Sequence, residues 1–192
     1  MASTAARERR LVVGVSGSSA PQLAVKFLEI ARELGTFETH VVLSAGARRS
    51  IELELRRDPA EVEALGDVVY DARDLGAAIS SGSFETLGMV IVPCSMRTLA
   101  AVATGNSDNL VARAADVTLK ERRRLVLVAR ETPLSYIHIE NMRTVTLAGG
   151  TILPPVLAFY HRPETIDDLL RQTCGKILDQ FGIENKTFRR WS

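Results

Sequence analysis

The chain has 192 residues, of which 46% are apolar and 24% charged. That suits one domain with its own core and excludes a disordered chain, a collagen-like chain and a disulfide scaffold. With 24 Lys and Arg against 23 Asp and Glu, the formal net charge of +1 gives no polyelectrolyte signal for nucleic acid.

The longest apolar stretch, 87–94, is far shorter than the roughly 18 residues that span a bilayer, so no membrane partner is expected. The opening MASTAARERR has charge but no apolar core of a secretory signal. Residues 1–9 read as a flexible tail and 10–192 as a single domain. Cys94 and Cys174 lie far apart in apolar segments and read as buried free thiols of a cytoplasmic protein. His40, His138 and His161 show no metal-ligand spacing, so no metal site is expected.

In chain order, Arg10–Val15 (RLVVGV) reads as a buried strand and 21–34 as a helix with Pro21 at its first position. Residues 39–43 (THVVL) form a second strand and 45–55 a helix. Asp58 and Glu61 suggest a capping box for a short helix ending near Leu65. Residues 68–70 read as a short strand and 80–83 as a flexible loop. MVIV at 89–92 reads as a strand stopped by Pro93, and Ser95 as the cap of a helix over 96–103. A helix over 109–120, a strand at 125–129 and a helix over 135–148 follow, the last closed by Gly149-Gly150. A short strand at 151–153 precedes a terminal helix over 165–181, with a Thr165…Asp168 capping box. Alternating helices and near-continuous Val/Ile/Leu strands predict a three-layer, doubly wound α/β domain around a parallel sheet, Rossmann-like in kind.

Such folds bind ligands beyond the carboxyl ends of their strands. Three strand ends carry unusual residues. Gly14–Ala20 is rich in small residues and leads into a helix N-terminus, which suits a phosphate or cofactor and equally a plain tight turn. At 93–98, Ser95 and Thr98 offer hydroxyls, or simply cap a helix. Arg130-Glu131 follows a buried strand as a catalytic pair or a structural ion pair. Arg113, Lys120 and Arg122–Arg124 are cations around one helix, reading either as an anion site or as a solvated helix end. Tyr160, in AFYHRP, can donate to an anion or pack.

Taken together, SSGSF at 80–84, PCSMRTLAAVATG at 93–105, DNLVARAADVTLKERR at 108–123, LVLVARETPLSYIHIENM at 125–142 and AFYHRPET at 158–165 resemble the UbiX family of flavin prenyltransferases. The resemblance runs from about Leu11 to Trp191. It implies an enzyme that binds reduced FMN and dimethylallyl monophosphate, or the diphosphate in some members. The five-carbon unit is joined to flavin N5 and C6 without a metal. The product, prenylated FMN, serves UbiD-type decarboxylases. It also implies a homo-oligomer, usually a dodecamer, with sites between subunits.

Residue by residue, the resemblance matches Gly17, Ser18, Ser19, Ser44, Ser95, Met96, Arg97, Thr98 and Arg130 to flavin contacts. Tyr160 and Lys176 match groups that hold the prenyl phosphate, and Arg113 and Lys120 match cations that reach a neighbouring subunit's site. Ser19, Glu54 and Glu131 match the polar groups near the reacting atoms. The chain departs from the family's GASG loop, because Ala20 stands where a glycine is usual and Pro21 follows it. A positive φ at Ala20 would be strained. Lys176 replaces an arginine, exchanging a bidentate fork for a point charge. Two other functions are compatible with the fold: a flavin-dependent cysteine decarboxylase, and a non-catalytic flavin carrier or accessory subunit of a decarboxylase.

Overall fold

The computed structural model describes residues 9–191. The expected tail therefore lies outside the described residues, except for Arg9, whose carbonyl accepts the Glu38 N–H at 2.8 Å. Six parallel strands form one sheet: β1 (Arg10–Val15), β2 (Glu38–Leu43), β3 (Val68–Asp71), β4 (Gly88–Cys94), β5 (Arg124–Ala129) and β6 (Thr151–Ile152). Their order is β3-β2-β1-β4-β5-β6. The chain winds outward from β1 in one direction, then restarts at β4 and winds in the other. The point where the winding reverses lies between β1 and β4.

The helices are α1 (Gln22–Leu34), α2 (Ala45–Ser50), α3 (Pro59–Glu63), α4 (Met96–Thr104), α5 (Leu110–Lys120), α6 (Tyr136–Leu147) and α7 (Ile166–Gln180). Alternate residues of each strand face opposite sides of the sheet. Leu11, Val13, Val41, Val90 and Val126 pack with Phe27, Leu28 and Ile177 of α1 and α7. Val12, Val42, Met89, Ile91 and Leu125 pack with Leu99, Val111 and Ala115 of α4 and α5 on the other face. The expected three-layer α/β architecture is borne out, and burial on both faces explains the unbroken apolar strands.

Four local expectations need correction. Pro21 lies one residue ahead of α1, which starts at Gln22. The strand at 89–92 does not stop at Pro93: β4 continues through it to Cys94, with a register shift against β5. Proline lacks only the N–H, and its carbonyl accepts both the backbone N–H of Ser16 at 3.2 Å and its hydroxyl at 3.1 Å. The helix expected over 45–55 is α-helical only to Ser50; Ile51–Leu55 is a π-helical turn that ends at Arg56 with φ +53°. Asp58 caps α3 by accepting the Ala60 N–H at 2.9 Å, but Glu61 pairs with Arg57 at 3.0 Å, so no capping box closes there. The capping box at Thr165 and Asp168 forms as expected.

Candidate active site at the topological switch point

The loops after β1 and β4 meet where the strand order reverses, the place where open α/β sheets bind ligands. Ser16, the first residue after β1, is buried. Its Oγ donates to Pro93 O and accepts the Ser95 N–H at 2.8 Å, tying the two loops together. Ser95 then caps α4 by accepting the Thr98 N–H at 3.2 Å, and its hydroxyl donates to Thr98 Oγ1 at 3.1 Å. Sequence reading missed Ser16, although a hydroxyl directly after a buried strand was a usable signal.

Gly17 comes next, and only a glycine fits there. A Cβ at Gly17 would lie 2.8 Å from the backbone of Gly46, in α2. Ser44 accepts the Ala47 N–H at 3.1 Å and so starts α2 against this loop. Ser18 Oγ donates to the carbonyl of Arg130 at 3.0 Å, which brings in the loop after β5. Four strand ends thus converge on one crevice.

Glu54 reaches this crevice from the π-helical turn, an irregularity that often re-aims side chains at functional sites. Its Oε2 accepts the Ser19 hydroxyl and the Ala20 N–H, each at 3.0 Å. Ala20 takes φ +72°, the strained value that the missing glycine implied. The carboxylate and hydroxyl expected at the reacting atoms are thus in direct contact, both open to solvent within the single chain.

The other candidates are distributed differently. Arg130 is half-buried and has no ion-pair partner among the described residues, so its guanidinium is available to a ligand. Glu131 does not pair with it; its Oε1 accepts the Thr132 N–H at 2.9 Å, which excludes the ion-pair reading. Met96 opens α4, and Arg97 is exposed 3.7 Å from Asp108. Arg113 pairs with Asp116 at 2.8 Å. Lys120 pairs with Glu121, beside Gly82, at the opposite end of the sheet from the crevice. One protomer therefore does not bring Lys120 to its own switch point.

Gln172, a residue that sequence reading missed, bonds Tyr160 and shares a cavity wall with Lys176. The Gln172 amide donates to the Tyr160 hydroxyl at 3.4 Å. Gln172 and Lys176 also line one cavity of about 310 Å³, with Leu153, Pro154 and Val156 on its apolar side. Lys176 lies 3.7 Å from Asp179, a loose pairing that leaves its charge available. The two cysteines are not candidate nucleophiles: burial pushes the Cys94 thiol well up and the Cys174 thiol up to about 12.

The donor set fits a flavin mononucleotide: several hydroxyls, backbone N–H groups at the start of α4, and an unpaired guanidinium in a glycine-floored crevice. Comparison with known proteins decides the family. The Flavoprotein family model matches residues 1–178. Flavin prenyltransferase UbiX of Escherichia coli (strain K12) is 50% identical over 185 residues, covering 95% of this chain and 98% of that one. The chain belongs to the UbiX family of flavin prenyltransferases. The crystal structure of AnUbiX (PadA1) in complex with FMN and dimethylallyl pyrophosphate superposes with a TM-score of 0.94 at 50% identity, over 97% of this chain and 98% of that one. A dodecameric FMN-dependent UbiX-like decarboxylase from Escherichia coli O157:H7 gives 0.92 at 48% identity, over 95% and 99%. The family expected from the sequence motifs is borne out. A UbiX-family chain is a flavin prenyltransferase, so the carrier and cysteine-decarboxylase alternatives fall away.

Proposed function

We propose that this enzyme moves a dimethylallyl group from dimethylallyl monophosphate, or the diphosphate, onto reduced FMN, and that the prenylated FMN supplies UbiD-type decarboxylases in the cytoplasm. The observation that carries this reading is the Ser19–Glu54 contact at the switch point, in a chain of this family. Gly17, Ser18, Ser44, the Ser95–Thr98 turn and Arg130 would hold the flavin. Bound reduced FMN supplies the nucleophilic N5 and C6 that accept the five-carbon unit.

The chain's own residues stabilise the leaving group and handle the proton. As the allylic C–O bond breaks, the phosphate leaves with the electron pair. Tyr160 and Lys176 donate to it, and preorganised donors of this kind need no reorganisation as charge develops. Arg113 and Lys120 add positive charge from a neighbouring subunit. Ring closure adds a proton to the alkene carbon beside the one that bonds C6 and removes the proton from C6; the held phosphate with Ser19 and Glu54 would relay the proton between the two, with Glu131 as a further polar group at the same site.

Assembly into a homo-oligomer, taken as a dodecamer, completes the site. In support, α6 and the loop after β6 expose Tyr136 (75%), Ile137 (68%), Val156 (73%) and Phe159 (67%), large apolar side chains that an assembly would cover. Among the described residues, no helix is long and apolar enough to cross a membrane. The test is coupled and anaerobic. The enzyme is given reduced FMN and dimethylallyl monophosphate, and the mixture is passed to an apo UbiD-type decarboxylase. Decarboxylation that depends on the prenyl donor supports the reading. None with either the monophosphate or the diphosphate rejects it.

A further inference from the structure

The surroundings of Tyr160 single out a residue with no role in the reading above. Gln172 lies on α7 four residues before Lys176, so the two share a helix face. It is 6% exposed, and a buried amide is costly unless it is bonded. Its Nε2 carries only donors, and one of them is directed at the Tyr160 oxygen. A phenol that accepts a hydrogen bond from an amide keeps its own proton free to donate elsewhere. No other polar group among the described residues contacts that oxygen. His161 and Trp191 meet the Tyr160 ring edge-on, at 5.6 and 5.9 Å between centroids, and constrain its plane without competing for the hydroxyl. The long 3.4 Å contact is of the kind that tightens when a ligand draws the phenol into line.

We propose that Gln172, which shares a cavity wall with Lys176, is a positioning residue that holds the Tyr160 hydroxyl as a donor toward the substrate phosphate. The proposal rests on the phosphate-binding reading of Tyr160 and Lys176. Gln172→Met keeps the side-chain volume and removes the donor. It should raise KM for dimethylallyl monophosphate about fivefold, the worth of one such bond, and leave FMN affinity and kcat within about twofold. Gln172→His, whose ring N–H can donate, should recover most of the loss. In a double-mutant cycle with Tyr160→Phe, the Gln172 change should add nothing, because no phenol remains to aim.

An unchanged or lowered KM in Gln172→Met, a histidine variant as weak as the methionine one, or full additivity with Tyr160→Phe overturns the proposal. If the methionine variant does not fold, Gln172→Ala is measured against the same outcomes. Absence of prenyl transfer by the unmodified enzyme is a separate result: it overturns the functional reading itself and the proposal with it.

Discussion

The two ends of the sheet carry similar residue types and use them in opposite ways. At the amino ends of the strands, polar groups are paired within the chain. His40 is 3% exposed and sits between Glu38 at 2.6 Å and the Tyr70 hydroxyl at 2.8 Å. Thr39 bonds Asp67 at 2.8 Å through both its N–H and its hydroxyl. Arg123 donates to the carbonyls of Phe84 and Gly82, and the Arg10 guanidinium lies 4.9 Å from the Phe84 ring. At the carboxyl ends, Ser16 is spent on holding two loops together, but Ser19, Glu54 and Arg130 remain open, and the backbone at Ala20 is strained. A buried histidine between a carboxylate and a phenol looks more like a catalytic centre than an exposed serine does. Spare hydrogen-bonding capacity at the point where the winding reverses, rather than the presence of titratable groups, marks the candidate active end.

The largest expected effect lies at the open end. Glu54→Gln should lower formation of prenylated FMN about 100-fold or more, as loss of a proton-handling group does, with FMN still bound. Single-turnover product analysis checks this, and ordinary yield from that variant would move the proton route away from Glu54. Next, Lys176→Met and Arg113→Ala should each lose about tenfold or more in kcat/KM, since each removes a charge from the developing phosphate anion. Oligomers refolded from a mixture of the two should regain activity, because intact sites then form between unlike subunits. Mixtures as inactive as their parents would place both residues in one protomer's site.

At the paired end, the prediction is for stability without activity. His40→Leu should cost about 1–3 kcal/mol by leaving Glu38 and Tyr70 without their shared partner, while kcat/KM stays unchanged. Burial lowers the His40 pKa below 6.5, and the Glu38 bond offsets this only in part. The unfolded chain therefore takes up a proton first as pH falls. Stability from His40 is present above about pH 6.5 and declines as pH drops through and below it, which denaturant midpoints between pH 7.5 and 5.5 would show. The smallest effect is at Ala20→Gly, which removes a Cβ from a left-handed residue and should stabilise by about 0.5–1 kcal/mol, net of the entropy a glycine adds to the unfolded chain. Thermal unfolding measures it.

Much of this was legible in the sequence, for local reasons. RLVVGV and LVLVA are strands because buried parallel strands need apolar residues on both faces, and the capping hydroxyls of Ser95, Ser135 and Thr165 announce their helices. Ser19 and Glu54, 35 residues apart, are hydrogen-bonded, and the resemblance set both near the reacting atoms. What stayed hidden depends on distant partners. Pro93 continues a strand because Ser16, 77 residues away, bonds its carbonyl. The π-helical turn that aims Glu54 leaves no mark on an apolar period. Gln172 reads as an ordinary polar helix residue until Tyr160 folds over it.

The most direct test is the mass of the bound flavin after anaerobic incubation of the purified enzyme with reduced FMN and dimethylallyl monophosphate. The account predicts a gain of one five-carbon prenyl unit, retained in His40→Leu and carried in Glu54→Gln as an uncyclised N5 adduct of the same mass. Unmodified FMN after incubation with the monophosphate and with the diphosphate would contradict it.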